Sequence, residues 1–252
     1  MLSASVLSCA PSMSRHTYRA VIAYDGTQFA GFAHVPGERT VWSVLQSALT
    51  SVVPGLGKLA AAGRTDRGVS AIGQVLSFHA SEPVSVDAIS RALHEAAPGQ
   101  LAALDVRRCS SAFHAQYSAR QRRYLYLLPD PDELLDVARM DRMLGALVGR
   151  RCFSAFARST PYGKDTIKTL SEARVQRVMG GDVRFDFMAE SFLRKQVRVM
   201  VSTAVREASW GGDDDALLRI AAARDREATP HPAPAEGLVL VAVGYDPVKL
   251  RG

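Results

Sequence analysis

The sequence predicts an α+β fold in two halves. Three observations carry this reading. Strand-like and helix-like patterns alternate along the whole chain. A proline-bounded break at Pro129–Pro131 divides them, giving halves at 17–129 and 130–252. The composition, 47% hydrophobic and 22% charged over 252 residues, is that of a chain able to bury a core.

Each element has its own signal. Thr17–Tyr24 reads as a strand stopped by Asp25-Gly26. Val41, Val44, Leu45, Ala48, Leu49 and Val52 recur at helical spacing, with Thr40 as N-cap and Pro54-Gly55 as the stop. A short run at Leu59–Ala62 leads into Gly63–Gly68, and Gln74–Phe78 is a strand. Val86, Ile89, Leu93 and Ala96 mark a second helix capped by Ser85. Leu101–Arg107 and Arg123–Leu128 are strands. Met140, Met143, Leu144 and Leu147 mark a helix closed by Gly149. Ala173–Val178 and Val183–Ala189 flank Gly180-Gly181-Asp182, a hairpin signal. Helices over Phe192–Ala208 and 213–227 and a strand at Leu238–Tyr245 complete the series.

Residues 1–16 are serine-rich and contain one arginine, Arg15, and no acid. They read as a disordered leader or a weak transit peptide, so location is cytoplasmic or organellar. No run of 18 apolar residues is present, which excludes a membrane-spanning helix. Cys9, Cys109 and Cys152 are too scattered for a disulfide framework or zinc ribbon, and the histidines show no ligand spacing; no metal is expected. The net charge, 31 − 25 = +6, favours an anionic partner such as nucleic acid.

Two motif look-alikes fail on context. Gly55-Leu56-Gly57-Lys58-Leu59-Ala60 imitates a dinucleotide fingerprint but follows a helix, not a strand. Gly68-Val69-Ser70-Ala71-Ile72 lacks the last glycine of a nucleophile elbow. Three stretches carry more. Gly63-Arg64-Thr65-Asp66-Arg67-Gly68 sets a carboxylate among arginines on a glycine-bounded loop, which is a reactive loop or a plain turn with a surface ion pair. The stretch from Phe113-His114-Ala115 through Arg120–Tyr126 interleaves cations with aromatics, which suits RNA or an edge strand with one solvated face. On the helix starting at Phe192, Leu193, Val197, Met200, Val201, Ala204, Val205 and Ala208 form an apolar arc. Arg198 lies about 20° beyond its edge, half buried and able to reach a carboxylate, or merely snorkelling.

Together these stretches resemble the TruA-type tRNA pseudouridine synthases. The resemblance rests on GRTDRGV, FHA…SARQRRYLY, SFLRKQVRVM and Ala235-Glu236-Gly237-Leu238, in order from Tyr18 to about Tyr245. The form around Phe192–Arg198 looks more like eukaryotic or organellar members. Phe32-Ala33, Trp42 and Ser70 depart from the family pattern. The resemblance implies that Asp66 is the catalytic aspartate, that Tyr124 stacks on the target uracil and that Arg198 pairs with the aspartate. It further implies that Arg64 helps extrude the nucleotide and that Leu238 lines the base pocket. Thr65, Arg67, Arg122, Arg123 and Arg194 are further substrate-binding candidates. It implies two halves sharing a long mixed, mainly antiparallel sheet, with helices on one side and a basic cleft between. It implies a homodimer without cofactor acting on uridines at positions 38–40 of the tRNA anticodon stem-loop. The alternatives are a catalytically silent tRNA- or rRNA-binding protein and a synthase for another RNA.

Overall fold

The structure, a computed structural model, describes residues 16–159, 163 and 165–250. The expected leader lies outside these residues except for His16, which opens the first strand and pairs with Ala80. In chain order the elements are β1 (His16–Tyr24), α1 (Val41–Val52), β2 (Ala60–Ala61), β3 (Ser70–Ala80), α2 (Val86–Glu95), β4 (Leu101–Cys109) and β5 (Ala119–Leu128). There follow α3 (Val137–Ala146), β6 (Gly149–Cys152), β7 (Ile167–Arg177), β8 (Val183–Ala189), α4 (Gln196–Ser209), α5 (Ala216–Ala223), β9 (Leu238–Tyr245) and α6 (Pro247–Leu250).

Among the described residues all nine strands join one sheet in the order β4-β1-β3-β9-β5-β8-β7-β6, with β2 paired to β3. Every pairing is antiparallel except β3 with β9. The sheet is therefore mixed and mainly antiparallel. It crosses the expected divide: β5 precedes Pro129 in sequence but lies between β9 and β8.

Strand alternation sends successive side chains to opposite faces. On one face Tyr18, Ala20, Ile22 and Tyr24 of β1, with Leu76 and Phe78 of β3, pack under Val41, Leu45 and Leu49 of α1 and Ile89 and Leu93 of α2. A second core on that face joins Tyr126, Phe185 and Phe187 to Met140, Met143 and Leu144 of α3 and to Val197, Met200 and Ala204 of α4. Tyr124 packs against both cores. So α1 to α5 share one face. The segment 110–118 and α6 lie on the other, where Phe113, Ala115 and Leu250 gather with Val75 and Tyr245.

Three details correct the expectations. Gly149 does not close a helix; α3 ends at Ala146 and Gly149, at φ 115°, starts β6, a strand the sequence did not announce. Ser85 sits at the N-cap of α2 but its side chain makes no capping bond, whereas Thr40 and Ser43 form a full capping box on α1. The helix expected from Phe192 begins only at Gln196. Lys195, the residue before it, is left-handed at φ 61°, and the Gln196 side chain turns back to accept from Leu193 N at 2.8 Å.

Candidate active site

The loop from Gly63 to Gly68 connects β2 to β3 and is held from several directions. Fully buried Gln74 donates to the Gly63 carbonyl at 2.8 Å and accepts from Val75 N at 3.2 Å. The Thr65 carbonyl accepts from Phe32 N at 3.1 Å, and its hydroxyl is bonded to that of Tyr24 at 2.8 Å. Gly68 has φ 85°, and a Cβ there would stand 2.9 Å from Glu236 Oε1 and 3.0 Å from Ala235 Cβ. Only glycine allows that approach at that φ. The next residue, Val69, is buried in the second core, so the loop is anchored in both halves.

This clamping leaves Asp66 facing α4. Arg198 Nη1 lies 3.4 Å from Asp66 Oδ2, across 132 positions of chain. The Arg198 Nε donates to the Ala233 carbonyl at 2.6 Å, while Ala233 N donates back to the Arg198 carbonyl at 3.1 Å. That exchange fixes the guanidinium before it meets the carboxylate. Arg198 is 13% exposed and Asp66 28%, so the pair is shielded yet reachable.

Tyr124 stands beside the pair. Its ring meets Phe192 edge-on at 5.3 Å and 90°. Burial raises its phenol pKa well above the ordinary value, nearby Tyr24 and Asp66 add to the rise, and Arg122 opposes it. The hydroxyl has no hydrogen bond among the described residues. A Cβ at Gly63 would lie 3.9 Å from it, so the start of the loop passes close to the phenol. Leu238, 7% exposed, pairs with Tyr126 on the adjacent strand.

Asp66, Arg198, Tyr124, Thr65 and Leu238 are thus gathered where the two cores meet. The other candidates are not. Arg122 is 9% exposed, and its guanidinium donates to three backbone carbonyls: Ala62 at 2.8 Å, Gln116 at 3.1 Å and Glu190. It is a tie beneath the site, with no donor fork left for a phosphate. Arg123, its neighbour on β5, points to the opposite face and pairs with Glu172 at 3.3 Å. Arg67 reaches Glu38 at 3.2 Å on the surface, and Arg64 and Arg194 are exposed. The sequence reading missed Gln74 as a clamp and Phe192 as the partner of Tyr124. A glutamine set between Gly73 and the mostly apolar Val75–Phe78 was the available signal for the first. Among the described residues no group of three or more His, Cys, Asp or Glu is arranged to hold a metal ion, and no helix is long and apolar enough to cross a membrane.

Comparison with known proteins gives this arrangement its class. A family model described as tRNA pseudouridine synthase matches residues 20–118 and 143–246, one stretch in each half. The tRNA pseudouridine synthase A of Lacticaseibacillus casei (strain BL23) is 35% identical over 244 residues, covering 90% of this chain and 99% of that protein. Its counterpart in Caulobacter sp. (strain K31) is 35% identical over 246 residues, covering 91% and 98%. Among solved structures, a Cbf5-Nop10-Gar1 complex aligns at a TM-score of 0.34 and 12% identity, over 75% of this chain and 44% of that one; a likeness this low carries no weight. The class is that of the pseudouridine synthases, which are isomerases. Within it, the chain belongs to the tRNA pseudouridine synthase family. Both relatives are bacterial, so they add nothing to the eukaryotic or organellar likeness around Phe192–Arg198.

Proposed function

We propose that the protein converts uridine to pseudouridine in tRNA, within positions 38–40 of the anticodon stem-loop, and that Asp66 supplies the reacting carboxylate. The reaction breaks the bond from ribose to a ring nitrogen, turns the uracil and rejoins it through a ring carbon. The carbon gives up a proton and the nitrogen gains one, so no electrons are exchanged with a cofactor. Three things are needed: an extruded base, a carboxylate beside it, and walls that keep the freed uracil in place. The observation that carries the reading is the Asp66–Arg198 pair at 3.4 Å beside Tyr124, whose hydroxyl is unbonded among the described residues.

In this reading Arg198 holds Asp66, and Tyr124 and Leu238 wall the uracil pocket. Thr65 fixes the loop through Tyr24. Exposed Arg64 enters the space left by the extruded base, and Arg67 and Arg194 meet phosphates in a basic cleft between the halves. Arg122 and Arg123 are left out, for the geometric reasons above. A homodimer belongs to the same reading.

The test is Asp66→Asn. Pseudouridine formation in an unmodified tRNA transcript should fall about a thousandfold or more while tRNA affinity stays near wild type. Retention of a tenth of the turnover would sink the assignment. Wild-type protein that binds tRNA but forms no pseudouridine would point to a silent RNA-binding protein, and modification confined to another RNA to a different substrate.

A further inference from the structure

On the face of the sheet away from α1 to α5, the segment 110–118 carries an aromatic pair that the site described above does not use. Tyr117 is 80% exposed. Its ring stacks on His114 with centroids 4.3 Å apart and planes 27° from parallel. A tyrosine so exposed would ordinarily sample several rotamers, but here the support is rigid. Phe113 and Ala115 are buried against Val75 and Cys109. Ala115 N donates to the Ser77 hydroxyl at 2.9 Å, and the Ala115 carbonyl accepts from the Tyr245 hydroxyl at 2.8 Å. His114 Nδ1 accepts from the backbone N of Gln116 and of Tyr117, at 3.2 and 3.3 Å, which fixes the imidazole plane under the phenol. Partial burial and the Lys58 ammonium both lower the His114 pKa, so the supporting ring is neutral at neutral pH.

The place of this pair relative to the reactive loop is set by one group. Arg122 Nη2 donates both to the Gln116 carbonyl and to the Ala62 carbonyl. The residue before Tyr117 and the residue before Gly63 are therefore held to the same nitrogen. The aromatic pair stands next to the chain that leads directly into Arg64 and Asp66, and exposed Lys58 lies nearby. An outward aromatic face, a rigid support and an adjacent cation together fit a nucleobase and its phosphate; a duplex interior offers no free base face for such a ring.

We propose that Tyr117, carried on His114, is a stacking platform for an unpaired nucleobase of the substrate RNA, separate from the pocket of the extruded uridine. The proposal rests on the RNA-modifying function argued above.

The experiment uses the full chain and an unmodified tRNA transcript. Affinity is measured by fluorescence anisotropy, and kcat and KM from pseudouridine formation. Tyr117→Ala should raise Kd and KM by about tenfold with kcat within about twofold, since one base–aromatic stack carries roughly that factor. Tyr117→Phe should match the wild type, because the ring is retained. Transcripts with single abasic nucleotides at unpaired positions supply the partner half of a double-mutant cycle. One such position should weaken wild-type binding by the same factor and leave Tyr117→Ala binding no weaker. The platform is overturned if Tyr117→Ala binds like the wild type, if Tyr117→Phe fails as Ala does, or if no abasic position couples to it. These results separate from failure of the underlying function, in which the wild type forms no pseudouridine in the transcript while the binding comparison is still read.

Discussion

Arg198 engages two neighbours at once, Ala233 through Nε at 2.6 Å and Asp66 through Nη1 at 3.4 Å. A lysine there keeps the charge but lacks the planar fork that sets Nε on Ala233 and Nη1 on Asp66. Arg198→Lys should therefore lower turnover on the order of ten- to a hundredfold, the worth of one charge-assisted hydrogen bond, with tRNA affinity changed far less. Arg194→Lys, on an exposed side chain, should leave turnover nearly unchanged. Steady-state kinetics of the two variants decide it, and equal small effects would make Arg198 an ordinary packed arginine. The meeting of Asp66 and Arg198 was foreseeable from the motifs and from the position of Arg198 at the edge of an apolar arc. The fate of Arg122 and Arg123 was not. Read as letters they form one basic run, but strand alternation sends them to opposite faces, and only tertiary structure shows that Arg122 meets three carbonyls.

Among the elements, α1 has the N-cap the sequence marked, Thr40, and the structure adds its partner Ser43. Buried Thr40 accepts from Ser43 N at 3.1 Å, and the Ser43 hydroxyl accepts in return from Thr40 N at 3.0 Å. Thr40→Ala should cost about 1–2 kcal/mol, read as a lower urea midpoint with an unchanged slope. Val41–Val52 and Leu238–Tyr245 were legible because periodicity and stop signals agree there. The start of α4 and the strand β6 were not. The apolar spacing runs through Leu193 as though the helix had already begun, and nothing in the letters shows the positive φ at Lys195. β6 is four residues long, and Arg150-Arg151 gives it no apolar alternation; its strand form comes from pairing with Ile167–Leu170.

At the scale of the whole molecule, burial acts on three phenols, Tyr24 and Tyr124 beside the reactive loop and Tyr245 on the opposite face. Burial pushes Tyr24 up to about 12, and Tyr124 and Tyr245 are raised further by the same cause. A raised folded pKa means that above about pH 10 the unfolded chain releases protons that the folded chain keeps. Stability present below pH 10 is then lost as pH rises toward the folded values, by about 1.4 kcal/mol per pH unit for fully enclosed Tyr24 alone. Denaturant titrations between pH 9 and about 11.5 should show this fall; a flat profile would mean that the phenols reach solvent. Charge acts at the same scale. With +6 net, RNA affinity should drop steeply with salt, with a log–log slope of about −0.7 to −0.9 per neutralised phosphate, measured from isotherms at several salt concentrations. A slope near zero would show that the excess charge is spread over the surface and not gathered on the face that meets RNA.

The position of β9 has a consequence in time as well as in space. It comes late in the chain yet lies at the middle of the sheet, parallel to β3 on one side and antiparallel to β5 on the other. During synthesis from the N-terminus, β3 and β5 are made long before the strand that must fill the gap between them. Until Leu238–Tyr245 leaves the ribosome, each growing half exposes an unpaired inner edge, the kind that recruits foreign strands. The parallel pairing of β3 with β9 joins residues about 170 positions apart, and loop closure over such a span is slow. Between the synthesis of β8 and the arrival of β9 the nascent chain is thus two open half-sheets, and chaperone demand should centre on that interval. The same late event brings Leu238 to the side of Tyr126, so the pocket proposed above for the uracil gains that wall only when the last strand arrives.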